Sequence, residues 1–267
     1  QGTWNSVKYK CIKNSSIASF IWWVANKVHW YIGSYEKIDR LVCTNNFMRN
    51  KIEEYYPKKF NMTVIPTFVS SNNLSIQHSK YSSNIISYIG NITEVKGILI
   101  LFKAISLFKQ YYPDKKVEII IMGRDKIGID DYLNQSKSHE NCIITYIPQS
   151  DRNRVDEILN QSKFLVFPSN IYENLPNIIL ESFNAATPVI AGAIGSLKEL
   201  VINDHNGFTY TNQNPIELMH LIHKAISVSK REYKNLQLGC KETINNKYNK
   251  YNHYNSLMDT FNEVINN

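Results

Sequence analysis

The 267-residue chain has only four cysteines, Cys11, Cys43, Cys142 and Cys240, and they form neither a C-x-x-C pair nor a dense framework. That spacing excludes a disulfide scaffold and a local zinc site, and it suits a reducing cytoplasm, the expected compartment. No apolar run reaches the roughly 18–20 residues needed to span a bilayer. The longest, Ile17 to Ala25, is too short, and nothing like a cleavable signal precedes it. No basic stripe interleaved with aromatics is present, so nucleic acid is not an expected partner. Internal repeats are absent, and no D-x-D pair stands in a plausible place. His220 and His223 lie three apart without a third ligand, so no metal site is expected.

What is present is a hydrophobic content of 43% with 12% aromatics, enough for a buried core, which excludes disorder. The net charge of +7 is uneven: residues 1–72 hold ten Lys and Arg against four Asp and Glu, or +6. A basic first segment fits an anionic membrane surface or an anionic substrate, and it equally fits an ordinary solvated face. The apolar run at 17–25, extended by Val28, Trp30, Tyr31 and Ile32, makes an interfacial helix with Lys27 and His29 on its other side, or a core helix. Residues 15–33 are therefore the candidate peripheral membrane contact, at the inner face of the membrane.

The chain opens on Gln1 in loop-like sequence, and an upstream segment is expected to precede it. A helix is expected over 15–33, a strand over 39–43, a helix from Asn45 or Asn46 to Tyr56 with Asn as N-cap, and a strand over 62–65 ended by Pro66. Residues 67–83 are polar and aperiodic, the best linker candidate. Beyond them, continuous apolar runs of strand length occur at 85–90, 117–122, 142–146, 164–167 and 188–191. Helical stretches alternate with these at 97–111, 129–138, 151–161, 177–186, 196–203 and 214–228, and a last helix covers 250–266. Strands apolar throughout, each followed by a helix, describe a doubly wound α/β domain with a parallel sheet covered on both faces. Such domains bind ligands outside the carboxy ends of their strands.

The stretch richest in chemistry runs from Ser169 to Glu181 and follows the apolar strand KFLVFP directly. Pro176 suits the first turn of a helix, whose free N–H groups and positive dipole end favour phosphate. Glu173 precedes that helix and Glu181 lies about one and a half turns inside it. Both are placed to accept hydrogen bonds from sugar or ribose hydroxyls. On spacing alone, Glu173 as a helix cap and Glu181 as a solvated helical residue is the simpler account.

The sequence ENLPNIILE, with Glu173 and Glu181 separated by seven residues, resembles the E-x7-E signature of the retaining GT-B glycosyltransferases of family 4 (glycosyl transferases group 1). The flanking FPS at 167–169, TPVIA at 187–191 and GSLKEL at 195–200 are similar to that family's blocks. So are GNITEVKG at 90–97, IMG at 121–123 and NGF at 206–208. The amino-terminal TWNSVKYKCIKNSSIAS, GSYEKIDRLVCTNNFMRNKI and VIPTFV are similar to the end of its first domain. The resemblance implies a GT-B fold in three parts. Residues 1–72 close an acceptor-side Rossmann-like domain, 73–245 form the nucleotide-sugar-binding domain, and 246–267 form a helix packing back on the first domain.

It also implies a metal-independent, hexosyltransferase-type enzyme that needs no cofactor. Sugar would pass from a nucleotide diphosphate to a glycan or lipid-linked acceptor with retention, in surface or extracellular polysaccharide synthesis. Position by position, Glu173 binds hydroxyls of the transferred sugar and Glu181 the ribose. Lys96 contacts the diphosphate and stabilises the leaving group's charge. Backbone N–H groups near Leu175, Pro176 and Asn177, with Asn174 beside them, face sugar and diphosphate. Gly123 lets the chain approach the nucleotide, and the segment around Ile147 borders the base. Three departures stand out. Asn91 occupies a position where the family usually has Arg, so another cation, Arg124, is a candidate replacement. Ala186 stands where Gly is usual, a minor change, and Ser196 replaces a second glycine, tightening the pocket. The family's Gly-rich donor loop and its acceptor-facing His region would lie upstream of Gln1. An epimerase of GT-B architecture and an inactive nucleotide-sugar-binding module stay open as alternatives.

Overall fold

A computed structural model describes residues 4–70, 78–136 and 141–266. The boundary expected at 72–73 and most of the first half of the 67–83 linker lie outside the described residues. The chain opens with a short helix α1 (Asn5–Lys8) where loop was expected, then α2 (Ser16–Tyr31), β1 (Leu41–Cys43), α3 (Asn46–Tyr55) and β2 (Met62–Val64). Ser15 caps α2 through the Ala18 N–H, and Asn45 caps α3 through the Met48 N–H at 2.7 Å, as its sequence position suggested. β1 and β2 pair in parallel, with α3 as the crossover.

The second part is built on six parallel strands: β3 (Ile85–Ile89), β4 (Val117–Gly123), β5 (Cys142–Pro148), β6 (Phe164–Phe167), β7 (Val189–Gly192) and β8 (Gly207–Tyr210), in the order β5-β4-β3-β6-β7-β8. Between them run α4 (Ile98–Tyr111), α5 (Asp130–Ser136), α6 (Arg152–Gln161), α7 (Asn177–Asn184) and α8 (Leu197–Leu200). The chain ends with α9 (Pro215–Ser227), α10 (Lys230–Lys247) and α11 (Lys250–Ile265).

Alternate residues of each strand feed opposite faces. Ile119 and Ile121, with Phe164 and Val166, join α4 and α9 in one core. Ile120 and Met122, with Leu165 and Phe167, join α6, α7 and α10 in the other. Burial of a side chain such as Phe108, Phe164 or Phe183 contributes about 1.5–3 kcal/mol, so the two covered faces explain why these runs read as apolar throughout. Two elements escaped the sequence pattern, the edge strand β8 and the 18-residue α10.

Strand order reverses between β3, the first strand of this sheet, and β6. β4 and β5 continue to one side and β7 and β8 to the other. The loops leaving β3 and β6 therefore diverge and open a crevice at their carboxy ends. α11 returns to the first part: His253 Nδ1 lies 2.8 Å from the Pro66 carbonyl and Arg40 pairs with Glu263 at 2.9 Å.

α2 buries only Ser19 among the described residues. Ile21 is 62% and Tyr31 91% exposed, and Trp22, Trp30 and Phe20 are exposed as well. No helix among the described residues is long and apolar enough to cross a membrane.

Candidate active site

At the β3–β6 switch, the structure brings Lys96 and Glu173 together from loops 77 residues apart in sequence. Lys96 Nζ donates to Glu173 Oε1 at 2.6 Å, and Ser169 Oγ donates to the same oxygen at 2.7 Å. Ser196 Oγ donates to the Glu173 backbone carbonyl at 2.6 Å, so both ends of that residue are fixed. Its side chain is only 13% exposed. Glu173 is thus no helix cap: no side chain caps α7, and Pro176 itself is the N-cap with extended backbone rather than the first helical residue. Pro176 has no N–H and therefore donates nothing at this helix start.

Lys96 reaches Glu173 because of Gly97. This residue has φ +75°, and a Cβ there would lie 1.8 Å from the Pro168 carbonyl oxygen. The turn after β3 consequently rests against the end of β6, and the Asn170 N–H closes it with a 3.0 Å bond to the Val95 carbonyl. Gly123, at φ +152°, plays the same part between β4 and β3, where a Cβ would lie 1.8 Å from the Gly90 carbonyl oxygen. Beside it opens a cleft of about 290 Å³ lined by Gly90, Asn91, Gly123, Arg124, Gln149 and Ser150. Asn91 and Arg124 share this wall. Ile147 pairs with Met122 in the adjoining strand register, and Tyr146 Oη donates to the Gly123 carbonyl at 3.2 Å.

Glu181 is not a solvated helical residue. Its carboxylate, 16% exposed, is paired with Arg152 Nη1 at the start of α6, and Arg152 Nε lies 3.3 Å from Asp156 Oδ1. Asn177 and Glu181 line a second cleft of about 420 Å³ together with Arg152 and residues 67–70. Arg152 carries no local signal in the sequence.

Asn174 bonds to the first part of the chain, accepting from Thr44 Oγ1 on its side chain and from Asn45 Nδ2 on its carbonyl. Phe47 packs against Tyr172 in the same loop, with ring centroids 4.8 Å apart and planes tilted by 59°. The beginning of α3 thereby clamps the loop that carries Glu173, a contact that no spacing rule indicated.

The far end of α7 is equally well held. The Thr187 N–H bonds the Ser182 carbonyl at 2.8 Å and the Ala186 N–H bonds the Phe183 carbonyl at 2.9 Å, a Schellman motif. Lys241 Nζ donates to the Asn184 carbonyl and Lys80 Nζ to that of Ala185, each at 2.6 Å. Two lysine side chains thus sit at the negative end of the α7 dipole. Ala186 occupies the left-handed position at φ +54°. Its replacement of Gly is therefore not minor, because a Cβ in that conformation costs roughly 1–2 kcal/mol.

Comparison with known proteins identifies the family and the fold. The family model described as glycosyl transferases group 1 matches residues 71–249. An uncharacterised glycosyltransferase of Methanocaldococcus jannaschii is 24% identical over 192 residues, covering 71% of this chain and 50% of the relative. The sucrose-phosphate synthase of Thermosynechococcus elongatus superposes with a TM-score of 0.73 at 17% identity, over 86% of this chain and 59% of that one. TarM of S. aureus, solved with UDP, alpha-GlcNAc-glycerol and Fondaparinux, gives 0.72 at 19% identity, over 88% and 46%. The chain spans about half the length of the curated relatives it matches. Its α/β architecture is the GT-B fold. With two thirds of its length under one family model and that fold around the crevice, the chain belongs to the glycosyl transferases group 1 family.

Proposed function

We propose that the chain carries the donor half of a retaining glycosyltransferase of family 4, transferring a hexose from a nucleoside diphosphate. The observation that carries this is the Lys96–Glu173–Ser169 cluster, set at the strand-order switch and facing the uncapped start of α7. A diphosphate in the crevice meets the helix's free N–H groups and the Lys96 ammonium, which stabilise its charge as it leaves. Lys96 then moves from Glu173 to the phosphate, freeing the carboxylate for hydroxyls of the sugar. Glu181 accepts from the ribose, and the cleft beside Gly123 and Ile147 takes the base. Arg124, on the Asn91 wall, supplies the second cation. UDP is the first nucleotide to try, since TarM was solved with it. Residues 73–245 form the donor domain in this scheme, with 1–72 and 246–267 on the acceptor side.

The acceptor is a glycan or lipid-linked glycan of surface polysaccharide synthesis. A peripheral membrane contact through residues 15–33 is supported by the exposed Ile17, Phe20, Ile21, Trp22 and Tyr31, with the basic first segment around them. The test is a thermal-shift screen against nucleoside diphosphates and their sugars. Transfer to an acceptor extract follows, with product anomers assigned by NMR. Stabilisation by a nucleotide sugar and a product of retained configuration support the scheme. An inverted product refutes retention, and a donor epimerised without any acceptor identifies an epimerase instead.

A further inference from the structure

Resting on the proposed assignment of Glu181 to the ribose, we infer that Arg152 is the positioning residue for that carboxylate and so sets the discrimination of ribose from deoxyribose. Arg152 is the first residue of α6, whose place is fixed by Asp151: its Oδ1 caps the helix by accepting from the Arg154 N–H at 3.0 Å. The guanidinium is held from two sides, by Asp156 one turn along the same helix and by Glu181 across on α7. A planar fork between two carboxylates has little rotational freedom, so it fixes the rotamer of Glu181 as a flexible ammonium would not. A carboxylate has about four acceptor sites. Arg152 pairs with one oxygen of Glu181, which lines the same cleft as Asn177.

The connection reaches the base side too. Gln149 and Ser150, just before α6, line the cleft beside Gly123, while Arg152 lines the cleft of Glu181. One short segment thus borders both the expected base and the expected ribose. Glu181 is partly buried, and without its cation it turns toward water or toward the N–H groups of α7, where it no longer meets a hydroxyl.

The experiment is calorimetric titration of the chain with UDP, ADP and GDP and with the 2′-deoxy and 3′-deoxy forms of whichever binds. The wild-type chain should prefer the ribonucleotide at least about tenfold over one deoxy form. Glu181→Gln should bring that preference close to unity. Arg152→Ala should reduce it at least threefold while leaving affinity for the deoxy form within about twofold, and Arg152→Lys should restore only part. Circular dichroism confirms that the variants are folded. Full preference retained in Arg152→Ala overturns the inference alone, as does a general loss shared by ribo and deoxy forms. Tighter binding by Arg152→Ala also overturns it, because Arg152 would then block the carboxylate rather than aim it. If the wild-type chain binds no nucleoside diphosphate, the proposed function falls and the inference with it.

Discussion

Lys80 offers the sharpest test of how α7 is anchored. Its side chain is 2% exposed, and its Nζ donates to the carbonyls of Leu159 at 3.1 Å and Ala185 at 2.6 Å and to Thr187 Oγ1 at 2.7 Å. Burial pulls its pKa down to about 7, against the three acceptors that favour the charged form. Two substitutions separate the terms. Lys80→Met keeps most of the stem, removes the desolvated charge and strands one acceptor, the Ala185 carbonyl. Leu159 keeps its 2.7 Å bond from Thr187 Oγ1. Stranding one carbonyl costs about 1–3 kcal/mol, and relief of the buried charge offsets much of that. Lys80→Met is therefore expected within about 1 kcal/mol of wild type at pH 7. Lys80→Ala additionally loses the stem and leaves a cavity, so it should fall about 2–4 kcal/mol below Lys80→Met. The pH dependence has a fixed sign. A lysine whose folded pKa is lowered carries its full penalty below pH 7 and loses it as pH rises toward the unfolded value near 10. Wild type should thus gain on Lys80→Met between pH 7 and 9. Urea unfolding at several pH values measures both quantities. If Lys80→Met loses as much as Lys80→Ala, with no pH dependence in the difference, the hydrogen bonds of the ammonium dominate and this partition is wrong.

Three further outcomes are expected. Glu173→Ala in the complete enzyme should lower transfer at least about a hundredfold, or about 2.7 kcal/mol, with the fold intact; wild-type turnover in the folded variant would remove Glu173 from the site. Ala186→Gly should raise stability by about 0.5–1 kcal/mol in thermal unfolding, the relief of the left-handed Cβ less the extra chain entropy of glycine. Gly97→Ala should destabilise by more than about 2 kcal/mol, because its Cβ would meet the Pro168 carbonyl, a backbone atom that cannot step aside.

The sheet and its site helices were legible because each strand is buried on both faces, which leaves an unbroken apolar run in the sequence. α10 was not. Its buried residues Tyr233, Leu236, Cys240 and Ile244 keep helical spacing, but they stand in a polar segment broken by Gly239. That glycine serves close packing, since a Cβ there would lie 1.9 Å from the His205 carbonyl oxygen. β8 is four residues long and has a strand neighbour on one side alone, too little pattern to read. In the candidate site, Lys96, Glu173 and Glu181 were singled out because they stand in ordered blocks that follow apolar strand runs. Arg152, Lys80 and the bond of Asn45 to Asn174 were missed because the partners lie 29, 105 and 129 residues away and only the topology joins them. Ser196 was singled out for its size, while its hydroxyl bond to the Glu173 carbonyl needed coordinates to see.

The central claim is that this crevice holds a nucleoside diphosphate, with Lys96 and Glu181 on the nucleotide and Glu173 on the sugar. Calorimetry of the bare nucleoside diphosphate against wild type, Lys96→Ala, Glu181→Ala and Glu173→Ala tests it most directly. Each of the first two substitutions should weaken binding at least about tenfold, or about 1.4 kcal/mol. Glu173→Ala should leave affinity unchanged or tighten it, because it releases Lys96 from its 2.6 Å ion pair. Equal losses in all three variants, or no nucleotide bound by the wild-type chain, would contradict the account.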